Sequence, residues 1–246
     1  MKTASLFLKK KLDKNIDHFL DNSQIHYFKK VLKMGSNDSV FIYDGNGTRW
    51  LGLFNGKDAV SLIDKETKKR KNFITAVVPI LKKARFEFLV QKLTELGVGA
   101  IHAYVSDKSK HLYSHSKELS KIDRYLEIIN SAAHQSENFF PPALHIVSNI
   151  KEIDFSKFES VCALELGSDT PFSSDSKCAV FITGGEFGFS DDEKEFLQDA
   201  KVNYYNLGEN ILRAETAPIV ALSRICLLYT SPSPRDLSTS RMPSSA

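Results

Sequence analysis

The stretch Phe181-Ile182-Thr183-Gly184-Gly185-Glu186-Phe187-Gly188-Phe189-Ser190 decides how this chain is read. It opens as an apolar strand and runs into three glycines within five residues. Glycine lets a backbone bend sharply and come close to a ligand. Ser190-Asp191-Asp192-Glu193 follows, and a serine with a glutamate three residues later is a capping box that starts a helix. A strand, a glycine loop and a helix in that order form the edge at which parallel α/β sheets bind cofactors. The spacing is GGxxG rather than the GxGxxG of dinucleotide sites. Asp191 and Asp192 also put carboxylates at the positive end of the helix dipole, where a pyrophosphate would sit. A nicotinamide-dinucleotide oxidoreductase stays open as an alternative, with Glu209, about 20 residues on, as its ribose ligand. No GxxxxGK[ST] occurs, which leaves an NTPase unsupported.

Toward the C-terminus a second loop of the same kind appears, Asn206-Leu207-Gly208-Glu209-Asn210-Ile211-Leu212-Arg213-Ala214-Glu215-Thr216-Ala217. It follows an apolar run at 202–207 and precedes an apolar helix at 218–228. Gly208 permits a tight turn. Arg213 is a lone cation in an acidic half of the chain, either a ligand contact or a surface arginine paired with Glu215 or Glu209. Upstream, apolar runs at 73–80, 100–105, 161–164 and 179–183 read as strands. Residues 86–96, stopped by Gly97, and 118–136 carry apolar side chains at helical spacing. Leu89, Leu93 and Leu96 are core positions of the first. Strands alternating with helices predict a parallel α/β sheet over residues 71–228.

The front of the chain is different. Ser39-Val40-Phe41-Ile42-Tyr43 and Thr48-Arg49-Trp50-Leu51-Gly52-Leu53-Phe54 flank Asp44-Gly45-Asn46-Gly47, a strong hairpin signal. Residues 58–64 read as a third strand, so residues 1–70 form a small antiparallel β-barrel, with the charged stretch 65–71 as the boundary.

Charge follows the same division. The formal net charge of +3 conceals +7 in residues 1–71 and −8 in residues 111–228. Such a field draws a polyanion to the N-terminal side, although lysines kept for solubility give the same surplus. Lys9-Lys10-Lys11 and Lys68-Lys69-Arg70-Lys71 are each weak signals and together suggestive. The longest uncharged stretch, 138–150, holds two prolines and is shorter than the roughly 20 residues a membrane helix needs. The N-terminal apolar run is too short for a secretory signal. Cys162, Cys178 and Cys226 have neither CxxC nor zinc spacing and fit buried thiols in a reducing cytoplasm. Residues 229–246 hold six serines, three prolines and two threonines; they cannot form core and are expected to be a non-native or disordered tail.

Five motifs in order now carry a family resemblance. The glycine loop resembles GPEGGFS, and residues 207–217 resemble LGxRILRxETA. Residues 91–98 match QKxTELGV, 132–136 match AAEQS and 26–33 resemble HHxxRVLR. The chain is thereby similar to the RsmE-type 16S rRNA (uracil-N3)-methyltransferases of the SPOUT class. Gly185 stands where the pattern has proline, Phe187 where it has glycine, His134 where it has glutamate and Lys30 where it has arginine.

The resemblance implies a PUA-like RNA-binding barrel followed by a SPOUT α/β domain with a trefoil knot, acting as a cytoplasmic homodimer on 16S rRNA or the small ribosomal subunit. It implies S-adenosyl-L-methionine as cofactor, held by Gly184, Gly185, Glu186, Gly188, Leu207, Gly208, Ile211, Leu212 and Arg213, without metal. Transfer of a methyl group to uracil N3 is an in-line displacement that needs positioning and stabilisation of the anion left when N3 loses its proton. A fixed guanidinium near O2 or O4 supplies that, which makes Arg213 the candidate, with Glu186 as a polar contact. Lys29, Lys30, Lys33, Arg49, Lys82, Lys83 and Arg85 are the candidate RNA contacts; Tyr27, Phe28 and Trp50 either stack bases or are core. His134 reads as a satisfied polar residue near the second loop. If the Phe187 ring fills the cofactor site, or the altered C-terminus disables it, the chain is instead a catalytically silent RNA-binding paralogue.

Overall fold

The structure is a computed structural model that describes residues 3–8, 12–70, 72–172 and 178–230, the last four of these by backbone alone. Lys9-Lys10-Lys11, Lys71 and residues 231–246, most of the expected tail, lie outside the described residues.

The N-terminal sheet has the order β1-β3-β4-β5-β2, from β1 (Thr3–Phe7), β2 (Asp17–Phe19), β3 (Ser39–Tyr43), β4 (Thr48–Phe54) and β5 (Ala59–Thr67). The expected hairpin forms β3 and β4, its turn made possible by Gly45 and Gly47 at φ +76° and +101°. The antiparallel expectation needs one correction, because β1 pairs with β3 in parallel. β5 also runs into the charged stretch, to Thr67, because its exposed half pairs with β4 through the backbone and through side chains such as Glu66, which meets Arg49. The core of this sheet is Phe28, Val40, Ile42, Phe54 and Val60, covered by α1 (Asn22–His26) and a wide turn at Tyr27–Val31.

The second sheet is six-stranded and wholly parallel, in the order β11-β9-β10-β6-β7-β8. It comprises β6 (Thr75–Pro79), β7 (Ala100–Tyr104), β8 (Ala143–Val147), β9 (Val161–Leu164), β10 (Val180–Thr183) and β11 (Asn203–Tyr205). Alternation along the central strands divides two cores. Ala76, Val78 and Phe181 face α2 (Lys83–Glu95), α4 (Ile122–Gln135) and α6 (Thr216–Thr230). Val77, Val180 and Ile182 face α5 (Asp191–Asp199). Burial on both faces is why these strands are continuous apolar runs in the sequence.

Three expectations are corrected. The helix at 118–136 is two helices, α3 (His115–Leu119) and α4. Ser120 Oγ turns back to the Lys117 carbonyl at 2.8 Å, and buried Glu118 takes Tyr125 Oη at 2.6 Å and Lys121 Nζ at 2.7 Å, stabilising the break. β8 was not anticipated, since Pro141-Pro142 and a short, half-exposed strand give little periodic signal. Finally, α6 continues through Tyr229 and Thr230, residues whose composition had placed them in the tail. Among the described residues no helix is long and apolar enough to cross a membrane.

The sheets are locked together. Arg49 forms ion pairs with Glu66 at 2.5 Å in its own sheet and with Glu137 at 3.0 Å after α4, with its guanidinium over the Phe41 and Phe139 rings. Gly47 N–H donates to the Phe139 carbonyl at 3.3 Å.

Burial, with a lesser contribution from the charge of its neighbour His145, holds the His102 imidazole below its ordinary value. The folded state then binds fewer protons than the unfolded chain, so stability present above about pH 6.5 is lost as pH falls below it. The melting temperature is expected to drop between about pH 7 and pH 5, less steeply in His102→Asn; equal slopes would remove His102 as a cause.

Candidate active site

The carboxyl ends of β9, β10 and β11 open into one cleft of about 550 Å³. The glycine loop after β10 turns back on itself, with Gly188 N–H donating to the Gly185 carbonyl at 3.0 Å and Gly188 at φ +70°. A Cβ on Gly184 would stand 3.0 Å from the backbone of Gly188 and Phe189, so only glycine fits there without moving main chain. The expected capping box is present: Glu193 N–H donates to Ser190 Oγ and Ser190 N–H to the Glu193 carboxylate. The other oxygen of Glu193 accepts from Asp107 N–H at 3.0 Å, tying this loop to the one after β7. With its first turn capped and lined by Asp191 and Asp192, α5 offers no open N-terminus to a pyrophosphate, which removes the support for a dinucleotide site.

The second loop lies across the cleft. Gly208 turns at φ +126°, a conformation side chains disfavour, with Gly208 N–H held by Asn206 Oδ1 at 3.1 Å. Residues 165–172 lace against it: Phe172 N–H donates to the Asn206 carbonyl at 2.8 Å, and Asn206 Nδ2 to the Ser168 carbonyl at 2.6 Å. Arg224, on α6, bonds the carbonyls of both Phe172 and Leu207, at 3.1 and 3.0 Å. No sequence signal marked Arg224, because its task is defined only by this crossing of segments.

Every residue expected to hold a cofactor lines this cleft: Gly184, Gly185, Glu186, Gly188, Leu207, Gly208, Ile211, Leu212 and Arg213. Phe187 does not line it; the residue is 57% exposed and keeps φ below zero. A ring turned to solvent takes away the motive that Phe187 gives for a silent paralogue; the other, the altered C-terminus, lies mostly outside the described residues. Two buried oxygens beside the cleft, Thr183 Oγ1 and Glu215 Oε2, lack a hydrogen-bond partner among the described residues. Buried polar atoms are seldom left so unless something else satisfies them.

The charged residues at the cleft differ from expectation. Arg85, expected among the RNA contacts, stands in the cleft wall. Its Nη1 lies 2.6 Å from Glu186 and its Nε 3.7 Å from Glu215. Glu186 is thus a paired carboxylate. Arg213 approaches Glu215 only to 4.0 Å, and its side chain is 75% exposed. Burial and the carboxylate of Glu186 push the nearby Tyr113 hydroxyl up. Of the other RNA candidates, Lys29, Lys30, Lys33, Lys82 and Lys83 are exposed, whereas Arg49 is spent on the junction between the sheets. Phe28 is core, Trp50 half-buried and Tyr27 exposed. His134 lines neither this cleft nor the cavity at the junction between the sheets.

Residues 68–226 match the family model described as an RNA methyltransferase domain, which spans most of the chain. The chain belongs to this RNA methyltransferase family. Residues 20–65 match the RNA methyltransferase PUA domain. Among similar curated proteins is the ribosomal RNA small subunit methyltransferase E of Rickettsia conorii, 28% identical over 93% of this chain and 97% of that protein. That of Bacillus subtilis is 28% identical over 84% of this chain and 88% of its own. These names bear out the RsmE resemblance read from the motifs. The fold agrees with that of a Neisseria gonorrhoeae ribosomal RNA small subunit methyltransferase E solved with S-adenosyl methionine, at TM-score 0.78 and 24% identity, covering 91% of this chain and 97% of that one. A Legionella pneumophila protein solved with bound SAM superposes at TM-score 0.80 with 21% identity, covering 92% and 97%. For an RNA methyltransferase of this fold, the PUA-like sheet and the parallel α/β sheet are the two expected parts.

Because Gly184 is packed against backbone and Gly188 meets nothing within 4 Å, their alanine variants should separate. Gly188→Ala bears only left-handed strain of about 1–2 kcal/mol. Gly184→Ala must displace the loop, and is expected to melt lower and to speed amide exchange at residues 184–189. Equal effects in thermal unfolding and exchange would show that the close approach is unimportant.

Proposed function

We propose that this chain methylates N3 of a uracil in 16S ribosomal RNA with S-adenosyl-L-methionine as donor, working as a cytoplasmic homodimer on the small ribosomal subunit or its RNA. The observation that carries the reading is the convergence of two glycine-bearing loops, distant in sequence, on one cleft lined by all nine residues the motifs nominate for the cofactor. In this reading residues 1–70 hold RNA and residues 71–228 carry the chemistry. Cys162, Cys178 and Cys226 form no disulfide among the described residues, in keeping with a reducing compartment.

The cleft fits the cofactor. Its volume lies in the range of small-ligand sites, about 300–1,000 Å³. Backbone at Gly184 and Gly208 allows close approach, Leu207, Ile211 and Leu212 offer apolar walls, and Thr183 Oγ1 offers an unspent polar atom. Bound there, S-adenosylmethionine supplies an electrophilic methyl group.

The residues around it have separable tasks. Arg213, on the cleft wall and loosely tied, is free to lie against uracil O2 or O4 and stabilise the charge that develops as N3 loses its proton to water. Glu186, held by Arg85, acts as a fixed polar contact rather than a proton acceptor in search of a partner. Lys29, Lys30, Lys33, Lys82 and Lys83 meet phosphates, which position RNA without reading its sequence.

Arg213→Ala is expected to lower turnover about 100-fold, as loss of one anion-stabilising donor does, while leaving melting unchanged. Methyl incorporation into 16S rRNA lacking the modification, with 3-methyluridine read by mass spectrometry, measures it. Near-normal turnover would take Arg213 out of the mechanism, and no incorporation by the unaltered chain would overturn the reading.

A further inference from the structure

A second cavity, of about 680 Å³, lies where the two sheets meet, far from the glycine loops in the order of strands. Asn46, Trp50 and Lys65 line it from the N-terminal sheet, and Leu126, Asn130 and Pro141 from the α/β domain. Its walls are held in place. Arg49 joins the two parts through Glu66 and Glu137, and the missing side chain of Gly47 admits the Phe140 ring and the Lys68 carbonyl, which a Cβ would meet at 2.7 and 2.6 Å. A cavity so braced keeps its shape without a ligand.

Its chemistry is specific. Asp44 is spent inside the turn, where Oδ1 accepts from Asn46 N–H at 2.7 Å and Thr48 N–H at 2.9 Å. The Asp44 charge stays at this wall beside the Thr48 hydroxyl, and two side-chain amides, Asn46 and Asn130, are both exposed and each able to donate and accept, Asn46 Nδ2 making only a long 3.5 Å contact to the Asp44 carbonyl. Between the parts sits a half-buried indole, with Lys65 Nζ over the Trp50 ring at 5.5 Å from its centroid, so that a stacking base takes the place of this exposed lysine, which is then left to meet the phosphate. A flat aromatic surface, two amides and one cation match an unpaired nucleotide: a base to stack, edges to bond and a phosphate to balance. One cation is too little for an acidic peptide. A base pair would hide the edges the amides can reach.

We propose that this junction binds one unpaired nucleotide of the RNA, its base against Trp50, its edges read by Asn46 and Asn130, and its phosphate beside Lys65. The proposal rests on RNA being the substrate. It gives the enzyme a second point of recognition, separate from the nucleotide that receives the methyl group.

Trp50 is the chain's single tryptophan, so intrinsic fluorescence of the full chain reports on this cavity directly. Titration with a short single-stranded oligoribonucleotide of mixed sequence should change it saturably, and the same sequence as a duplex should bind more weakly. By anisotropy of the labelled strand, Asn130→Ala and Trp50→Ala should each weaken binding about tenfold, while Trp50→Phe keeps most of it. Asn130 is exposed, so its variant tests the idea even if Trp50→Ala unfolds. A silent Trp50, equal binding of duplex, or undiminished binding by Asn130→Ala overturns the proposal. RNA methylation with a silent Trp50 sinks this site and leaves the transferase standing. A Trp50 response without methylation upholds the site and sinks the transferase reading instead.

Discussion

One buried carboxylate organises the cleft. Glu193 accepts from Ser190 N–H at 2.8 Å and from Asp107 N–H at 3.0 Å, and Ser190 Oγ reaches Asp107 Oδ2 at 3.1 Å. Asp107 follows β7 and Ser190 follows β10, strands separated in the sheet by β6. A single charged group therefore spans the ends of three strands. The glycine turn is confined between that span and Ser106, whose side chain would stand 3.2 Å from a Cβ at Gly185. Hydrogen bonds from backbone N–H groups are what make a buried carboxylate tolerable, and losing them strands the charge. The cleft's geometry thus depends on an interaction that local sequence shows only as a helix cap.

Strand order explains the rest of the site. β6 and β10 are neighbours, yet the chain leaves them toward opposite sides of the sheet: β7 and β8 lie beyond β6, and β9 and β11 beyond β10. In parallel sheets the crevice at such a reversal is where ligands bind. Arg85, at the start of α2 after β6, therefore meets Glu186, after β10, although they are about a hundred residues apart in the chain. A lysine- and arginine-bearing stretch that reads as an RNA surface splits accordingly. Lys82 and Lys83 stay exposed while Arg85 turns into the wall.

Much of this was legible beforehand because it is local. The β3–β4 hairpin, the capping box of α5 and the turns at Gly188 and Gly208 follow from a few adjacent residues, and the structure has each of them. So do the buried positions of α2, where Leu89 and Leu93 are fully enclosed. What was not legible depends on partners distant in sequence. Arg49 reads as a phosphate contact in the sequence, but Phe139 and Glu137, supplied by the segment after α4, stand beside it. β8 has too few buried residues to show a period, and its place is set by pairing along β7. The helix at 118–136 kept its spacing, but Glu118 and Ser120 favoured a break that periodicity does not see.

The charge balance of the cleft bears on which arginine acts. Arg85, Glu186, Arg213 and Glu215 contribute two cations and two anions, and Glu165, also in the lining, is balanced by Lys194 at 2.5 Å. A cleft of net positive charge would repel a sulfonium donor, and a net negative one would repel RNA; near-neutrality tolerates both. Within that balance the two guanidiniums are not equivalent. Arg85 is fixed by a 2.6 Å contact to Glu186, so moving it would leave a carboxylate short of its partner. Arg213 stands 4.0 Å from Glu215 and is mostly exposed, so it can turn toward a substrate while breaking little. Glu215 keeps one buried oxygen without a hydrogen-bond partner among the described residues. The freedom of Arg213 and the constraint on Arg85 are consequences of the same ion-pair cluster; in the function proposed above, one holds the cleft and the other is left to stabilise the reacting base.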